Sequence, residues 1–131
     1  TECADAHLHL APITCQAILE PKLDLRVTVI GAYLWCDSVT DKGSGIVGDW
    51  RLKTKEELQY EDYDLPESVK ELCFNLMRDL GLRFGAIDLV LCDNRYWFIE
   101  INPTGEWVWL DRDGRGVAAA IAEELVCPHS L

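Results

Sequence analysis

Two apolar segments, Phe84-Gly-Ala-Ile-Asp-Leu-Val-Leu-Cys92 and Tyr96-Trp-Phe-Ile-Glu-Ile-Asn-Pro103, flank the short polar stretch Asp93-Asn94-Arg95. Both are rich in β-branched and aromatic residues, which predicts two paired antiparallel strands. Yet each carries an acid: Asp88 in the first, Glu100 in the second, with Asn102 two residues further on. If the polar stretch is a three-residue loop, Cys92 faces Tyr96, and counting back sets Asp88 opposite Glu100. Residues i and i+2 share a sheet face, so Asn102 joins them.

Opposed side chains have Cβ atoms about 4.5–5.5 Å apart. Two ionised carboxylates at that distance repel by roughly 3 kcal/mol at an effective dielectric of about 20. A shared proton, a basic side chain or a divalent cation would offset this. Two carboxylates and an amide form an all-oxygen donor set suited to Mg2+ or Mn2+. The plainer alternative is a solvated strand face with ordinary acids. Against it, an acid embedded in Ala-Ile-Asp-Leu-Val-Leu has little reason to be there unless paired or coordinated.

Residues 1–131 fit a single domain, and an apolar fraction of 49% with five Trp indicates a folded globular protein. A net charge of −11 argues against nucleic acid or an anionic membrane as the main partner, since both need clustered Lys and Arg. The six cysteines (3, 15, 36, 73, 92 and 127) form no C-x-x-C pair, and Cys36, Cys73 and Cys92 fall on apolar positions. These features predict a reduced, cytoplasmic protein. His7 and His9 read as a polar strand edge rather than a metal pair. No run approaches a membrane span or a signal peptide. The lack of an initiating Met suggests a piece of a longer protein.

Along the chain, residues 11–19 read as a short strand interrupted near Pro12. Leu25–Ile30, Gly31-Ala32 and Tyr33–Cys36 read as a hairpin. Residues 42–48 are glycine-rich and flexible in composition, and residues 53–64 read as a polar surface connection. A helix is predicted from Pro66, with Asp64 and Glu67 as capping signature, Gly81 as its stop, and an apolar stripe of Val69, Leu72, Cys73, Leu76, Met77 and Leu80. A last helix runs from about Gly116 to Val126. The order predicts an α+β fold: an antiparallel sheet with helices packed on one face.

Two further motifs join the acids. Asp24-Leu-Arg26 puts an acid and a base on one strand face, where an intrastrand ion pair is the plainer reading. Asp49-Trp-Arg51 offers a guanidinium beside an indole, suited to phosphate or carboxylate recognition, or else a stacked surface pair.

Cys15-Gln-Ala-Ile-Leu19, Asp24-Leu-Arg-Val-Thr-Val-Ile-Gly31, Asp49-Trp-Arg51, Phe84-Gly-Ala-Ile-Asp88 and Phe98-Ile-Glu-Ile-Asn-Pro-Thr-Gly105, in that order, resemble the ATP-grasp carboxylate-amine ligases. The likeness is strongest to those that macrocyclise microviridin-type ribosomal peptides (graspetides), with the ribosomal-protein glutamate ligases nearby. The resemblance implies the C-terminal half of an ATP-grasp fold, without the N-terminal domain and first ATP-grasp subdomain. It implies Asp88, Glu100 and Asn102 as Mg2+ ligands; Gln16, Ala17, Ile18 and Leu19 around adenine; Asp24 near the ribose; Arg51 at a phosphate; and Arg26 at the transferred phosphate or acyl group. The implied activity is ATP-dependent joining of a carboxylate to an amine or hydroxyl through an acyl-phosphate, on a peptide or amino acid. Lys53 departs from the family pattern, standing where some relatives have Asn. A fragment of this kind is expected to be inactive alone and to dimerise through uncovered surfaces. The alternative is a non-catalytic interaction module in which the 84–103 hairpin and Glu106-Trp-Val-Trp-Leu110 form a docking surface; exposed Trp107 and Trp109 would favour it, and buried ones would be ordinary core.

Overall fold

The computed structural model describes residues 17–54, 56–112 and 114–126. Gln16, His7, His9, Cys3, Cys15 and Cys127 lie outside them, as does most of the strand expected at 11–19; its described end, Ala17–Leu19, is in no strand. β1 (Leu23–Ile30) turns through Gly31-Ala32 into β2 (Tyr33–Asp41), as expected, with Gly31 supplying the positive φ of +54°. The remaining elements are β3 (Leu58–Asp62), α1 (Glu67–Asp79), β4 (Phe84–Cys92), β5 (Arg95–Asn102) and α2 (Val117–Val126). All strands pair antiparallel in the order β3-β2-β1-β4-β5, so the fold is α+β with β1 at the centre.

β3 corrects the expectation of a plain surface connection at 53–64. Its five residues bury only Leu58 and present Gln59, Glu61 and Asp62 to solvent. Such a short, acidic edge strand discourages further pairing, and its composition reads as loop. The glycine-rich loop is likewise pinned, because Ile46 is buried against Val39 and Leu58.

Alternation along β1 divides the core. Leu25, Val27 and Val29 face α1 and meet Cys36, Ile87, Leu89, Cys73 and Met77. Burying side chains of this size stabilises the fold by about 1.5–3 kcal/mol each. The stripe on α1 is narrower than the spacing suggests. Leu72 is exposed, being about 100° around the helix from Cys73, and Leu80 is exposed because it lies past the last turn. Asp64 makes no cap; it accepts from Lys70 Nζ at 3.1 Å, while Pro66 occupies the N-cap. Gly81 ends the helix as expected: at φ +66° it lets Leu82 N–H reach the Met77 carbonyl (2.9 Å) and its own N–H reach Arg78 (3.0 Å).

Helix cover on one face holds for α1. α2 lies across one end of the other face, where Val117, Ala120 and Ile121 pack with Ile30, Trp35, Phe84 and Trp107. Its first N–H groups, on Val117 and Ala118, donate to the Asp111 carboxylate at 2.9 and 3.1 Å. Trp107 and Trp109 are half-buried within the chain; Trp109 meets Tyr60 in a tilted contact, ring centroids 4.2 Å apart and planes 49° apart. Trp107 packs against the Ile30, Val117 and Ala120 cluster, while Val108 between the two is exposed. Among the described residues no helix is long and apolar enough to cross a membrane.

Cys36, Cys73 and Cys92 are buried free thiols, as their apolar positions predict. Burial pushes the Cys73 thiol up from 9.0 to about 11 and raises Cys36 as well. The folded thiols therefore keep their protons where the unfolded ones lose them. Stability should fall as pH rises through the window from 9.0 to about 11 set by Cys73. A urea-unfolding series across that window checks this; Cys73→Ala and Cys36→Ala together should flatten the decline.

Candidate functional site

The β4–β5 connection is a two-residue turn, not a three-residue loop. Asp93 and Asn94 adopt φ of 50° and 60°, as a type I′ hairpin requires. Cys92 consequently faces Arg95, a register that would put Asp88 opposite Ile99. A β-bulge restores the expected opposition. Leu89 faces Phe98 but Asp88 faces Glu100, leaving Ile99 as the extra residue.

On the face that α2 partly covers, one straight row of charge crosses the whole sheet: Asp62 on β3, Asp37 on β2, Arg26 on β1, Asp88 on β4 and Glu100 on β5. Loop arginines close both ends. Arg112 and Arg115 donate to the fully buried Asp37 at 2.6 and 2.8 Å, and Arg112 also reaches Asp62 at 3.0 Å. At the other end Arg51 Nη1 bonds Glu100 and lies 3.8 Å from Asp88 Oδ2.

Asp24 and Arg26 form no intrastrand pair. Arg26, buried, donates from Nη1 to Asp88 Oδ1 at 2.7 Å, while Asp24 accepts from Lys22. Carboxylate repulsion is thus offset by basic side chains, Arg26 beneath and Arg51 from the side. Burial still pushes the Asp88 carboxyl above its usual range, with Arg26 and Arg51 pulling it back down. Burial likewise raises Asp24 against the pull of Lys22. Asp49 caps the 3-10 turn Trp50–Leu52 through the Arg51 N–H, and its carboxylate accepts a fork from Arg51 Nε (2.9 Å) and Nη2 (3.1 Å). That guanidinium holds Asp49 below the usual carboxylate range. Lys53 donates to Asp41 at 2.8 Å, outside this group.

Ala17, Ile18, Leu19, Asp24, Arg51 and Asp88 line one cavity of about 280 Å³, together with Trp50, Val90 and Ile99. Its size and mixed lining suit one wall of a small-molecule cleft. Gly45 has no Cβ because one would collide with the Lys22 carbonyl, so the glycine-rich loop can close against the strand entering β1.

Asn102 shares the face of Glu100 but pairs with Ala86, and its side-chain oxygen accepts from Thr104 N–H (2.9 Å) and Oγ1 (3.0 Å). Asp88 Oδ2, by contrast, is buried without a hydrogen-bond partner. Such an orphaned oxygen beside Glu100 fits a hard divalent cation. Among the described residues no three His, Cys, Asp or Glu side chains cluster for a metal. A third protein ligand would be Asn102, after releasing the Thr104 hydroxyl.

Behind the pair, a Cβ on Gly105 would lie 2.5 Å from the Ala86 Cβ and 2.8 Å from Arg26 Nη2. Gly105→Ala should therefore push Arg26 off Asp88 and destabilise by about 1–3 kcal/mol, read by urea unfolding.

The sequence pattern missed Asp37, Arg112 and Arg115. The available signal was that Asp37, like Asp88, is an acid inside an apolar strand, Tyr33-Leu-Trp-Cys-Asp-Ser-Val39. Asp49 was visible only as part of Asp-Trp-Arg, since its fork depends on the turn geometry.

No protein-family model matches the chain, and no curated protein does. Solved structures match. The macrocyclase MdnC of Microcystis aeruginosa MRC, bound with precursor peptide MdnA, is similar with 34% identity and a TM-score of 0.61, over 79% of this chain and 33% of that one. A RiPP-associated ATP-grasp ligase of Chryseobacterium gregarium, in complex with ADP and a leader and core peptide, is 29% identical with a TM-score of 0.71, over 82% of this chain and 34% of that one. Macrocyclase MdnB of Microcystis aeruginosa MRC is 28% identical with a TM-score of 0.62, over 84% and 38%. Sheet and helices together match an ATP-grasp fragment. The likeness is to ATP-grasp ligases of the graspetide type, and the chain spans about a third of the length of those ligases.

Proposed function

We propose that the chain supplies the ATP- and Mg2+-binding wall, the C-terminal half of the ATP-grasp fold, in an ATP-dependent ligase that joins a peptide carboxylate to an amine or hydroxyl through an acyl-phosphate. The observation that carries this reading is the orphaned Asp88 Oδ2, opposite Glu100 and lining the same cavity as Ala17–Leu19 and Asp24. Asp88 and Glu100 hold the cation, with Asn102 as third ligand. When bound, the cation neutralises phosphate charge where it develops. Ala17, Ile18 and Leu19 present backbone groups to adenine, Asp24 meets the ribose, and Arg51 takes a phosphate oxygen. Arg26 acts through Asp88, holding that carboxylate in place, because its guanidinium is buried under the pair.

At about a third of the relatives' length, these residues bind nucleotide weakly and turn nothing over by themselves. A thermal-shift assay on the chain with Mg2+, ATP and both tests the reading. Stabilisation should appear only with both together and vanish in Asp88→Asn. A shift with Ca2+ alone, or none in any condition, would overturn it.

A further inference from the structure

Arg51 occupies the ground a metal would need. Its Nη1 bonds Glu100 and lies 3.8 Å from Asp88 Oδ2, the carboxylate oxygen with no hydrogen bond. Nε and Nη2 are committed to the Asp49 fork on the opposite edge of the guanidinium, so Nη1 is the one corner that can change partner while the others stay. We propose that Arg51 is a resident counter-ion which a divalent cation must displace, so that the chain takes up the cation together with a nucleotide and only weakly by itself. This rests on the metal reading of the same site.

Charge balance sets the direction. Asp49, Asp88 and Glu100 against Arg26 and Arg51 leave a formal −1. A dication entering alone reverses that sign and leaves Nη1 without an anion. A triphosphate brings oxygens for both the cation and Nη1, so the exchange has somewhere to go. The motion is small: Arg51 pivots on Asp49, and the side chains of Arg51 and Glu100 are 42% and 47% exposed, so solvent covers the pair as it opens. A half-exposed pair resists displacement only modestly, which sets the expected effect at about three- to fivefold in metal affinity.

Electron paramagnetic resonance titration of Mn2+, with and without ATP, tests this on the wild-type chain, Arg51→Met, Arg51→Gln and Asp88→Asn. Wild type should bind Mn2+ weakly alone and more tightly with ATP. Both Arg51 variants should bind Mn2+ alone about three- to fivefold more tightly than wild type and lose most of the tightening by ATP. Arg51 variants that match wild type for Mn2+ alone, while wild type still shows ATP-linked uptake, would overturn the displacement and leave the metal site standing. Uptake by wild type under neither condition, or uptake unchanged in Asp88→Asn, would overturn the metal reading itself.

Discussion

Arg26→Met should destabilise the chain by about 3–5 kcal/mol, the cost of leaving a buried carboxylate without its partner. The melting temperature should fall by roughly 10 °C or more. Asp88 is buried on the central face, its carboxyl already pushed up by burial, and Arg26 supplies its 2.7 Å hydrogen bond. Once Arg26 is removed, the remaining cation is Arg51 at 3.8 Å, half-exposed and shared with Glu100 and Asp49. Arg26→Met with Asp88→Leu should recover much of the loss, because removing both charges removes the desolvation problem as well. Urea unfolding of the single and double variants gives the coupling energy. A single variant within about 1 kcal/mol of wild type would show that the pair is not the buried unit described.

Asp37→Ala should have an effect of the same order, about 3–5 kcal/mol, for a different reason. Asp37 has no exposed surface and holds Arg112 and Arg115, which anchor the segment leading from β5 to α2 over the sheet. Arg115 is mostly buried and also donates to the Leu110 carbonyl; its own carbonyl accepts from Trp35 Nε1. Without Asp37 two guanidiniums share the exposed Asp62, and the segment loses its fixed point on β2. Hydrogen exchange should report this as faster exchange in 104–112 and in the first turn of α2, while β4 and β5 keep their protection. Uniform loss of protection across all strands would contradict a local anchor.

The opposition of Asp88 and Glu100 was legible in the sequence through two local departures that cancel. The turn is one residue shorter than the polar stretch suggests, because Asp93 and Asn94 tolerate positive φ and Arg95 pairs as a strand residue. The bulge at Ile99 then puts that residue back. Neither departure has a signature in composition, so the pairing came out right for a reason the pattern did not contain. β3 was hidden because an edge strand keeps its acids in water and needs only Leu58 inside. Leu72 shows the limit of helical periodicity: spacing marks a broad apolar stripe, but packing on a single sheet face buries the middle of it. Asp24 and Arg26 looked like partners because i and i+2 share a face. Their real partners, Lys22 and Asp88, come from the incoming loop and from a strand 62 residues away. Asp37 was passed over because its two arginines arrive from the far side of the chain.

The most direct test of the metal-binding role of the carboxylate pair is anomalous scattering from crystals of the chain grown with Mn2+ and a non-hydrolysable ATP analogue. An ion within bonding distance, about 2–2.5 Å, of Asp88 Oδ2 and a Glu100 oxygen is predicted, with Arg51 moved off Glu100 and onto a phosphate. An ion bound elsewhere, with the Arg51–Glu100 pair intact beside bound nucleotide, would contradict it.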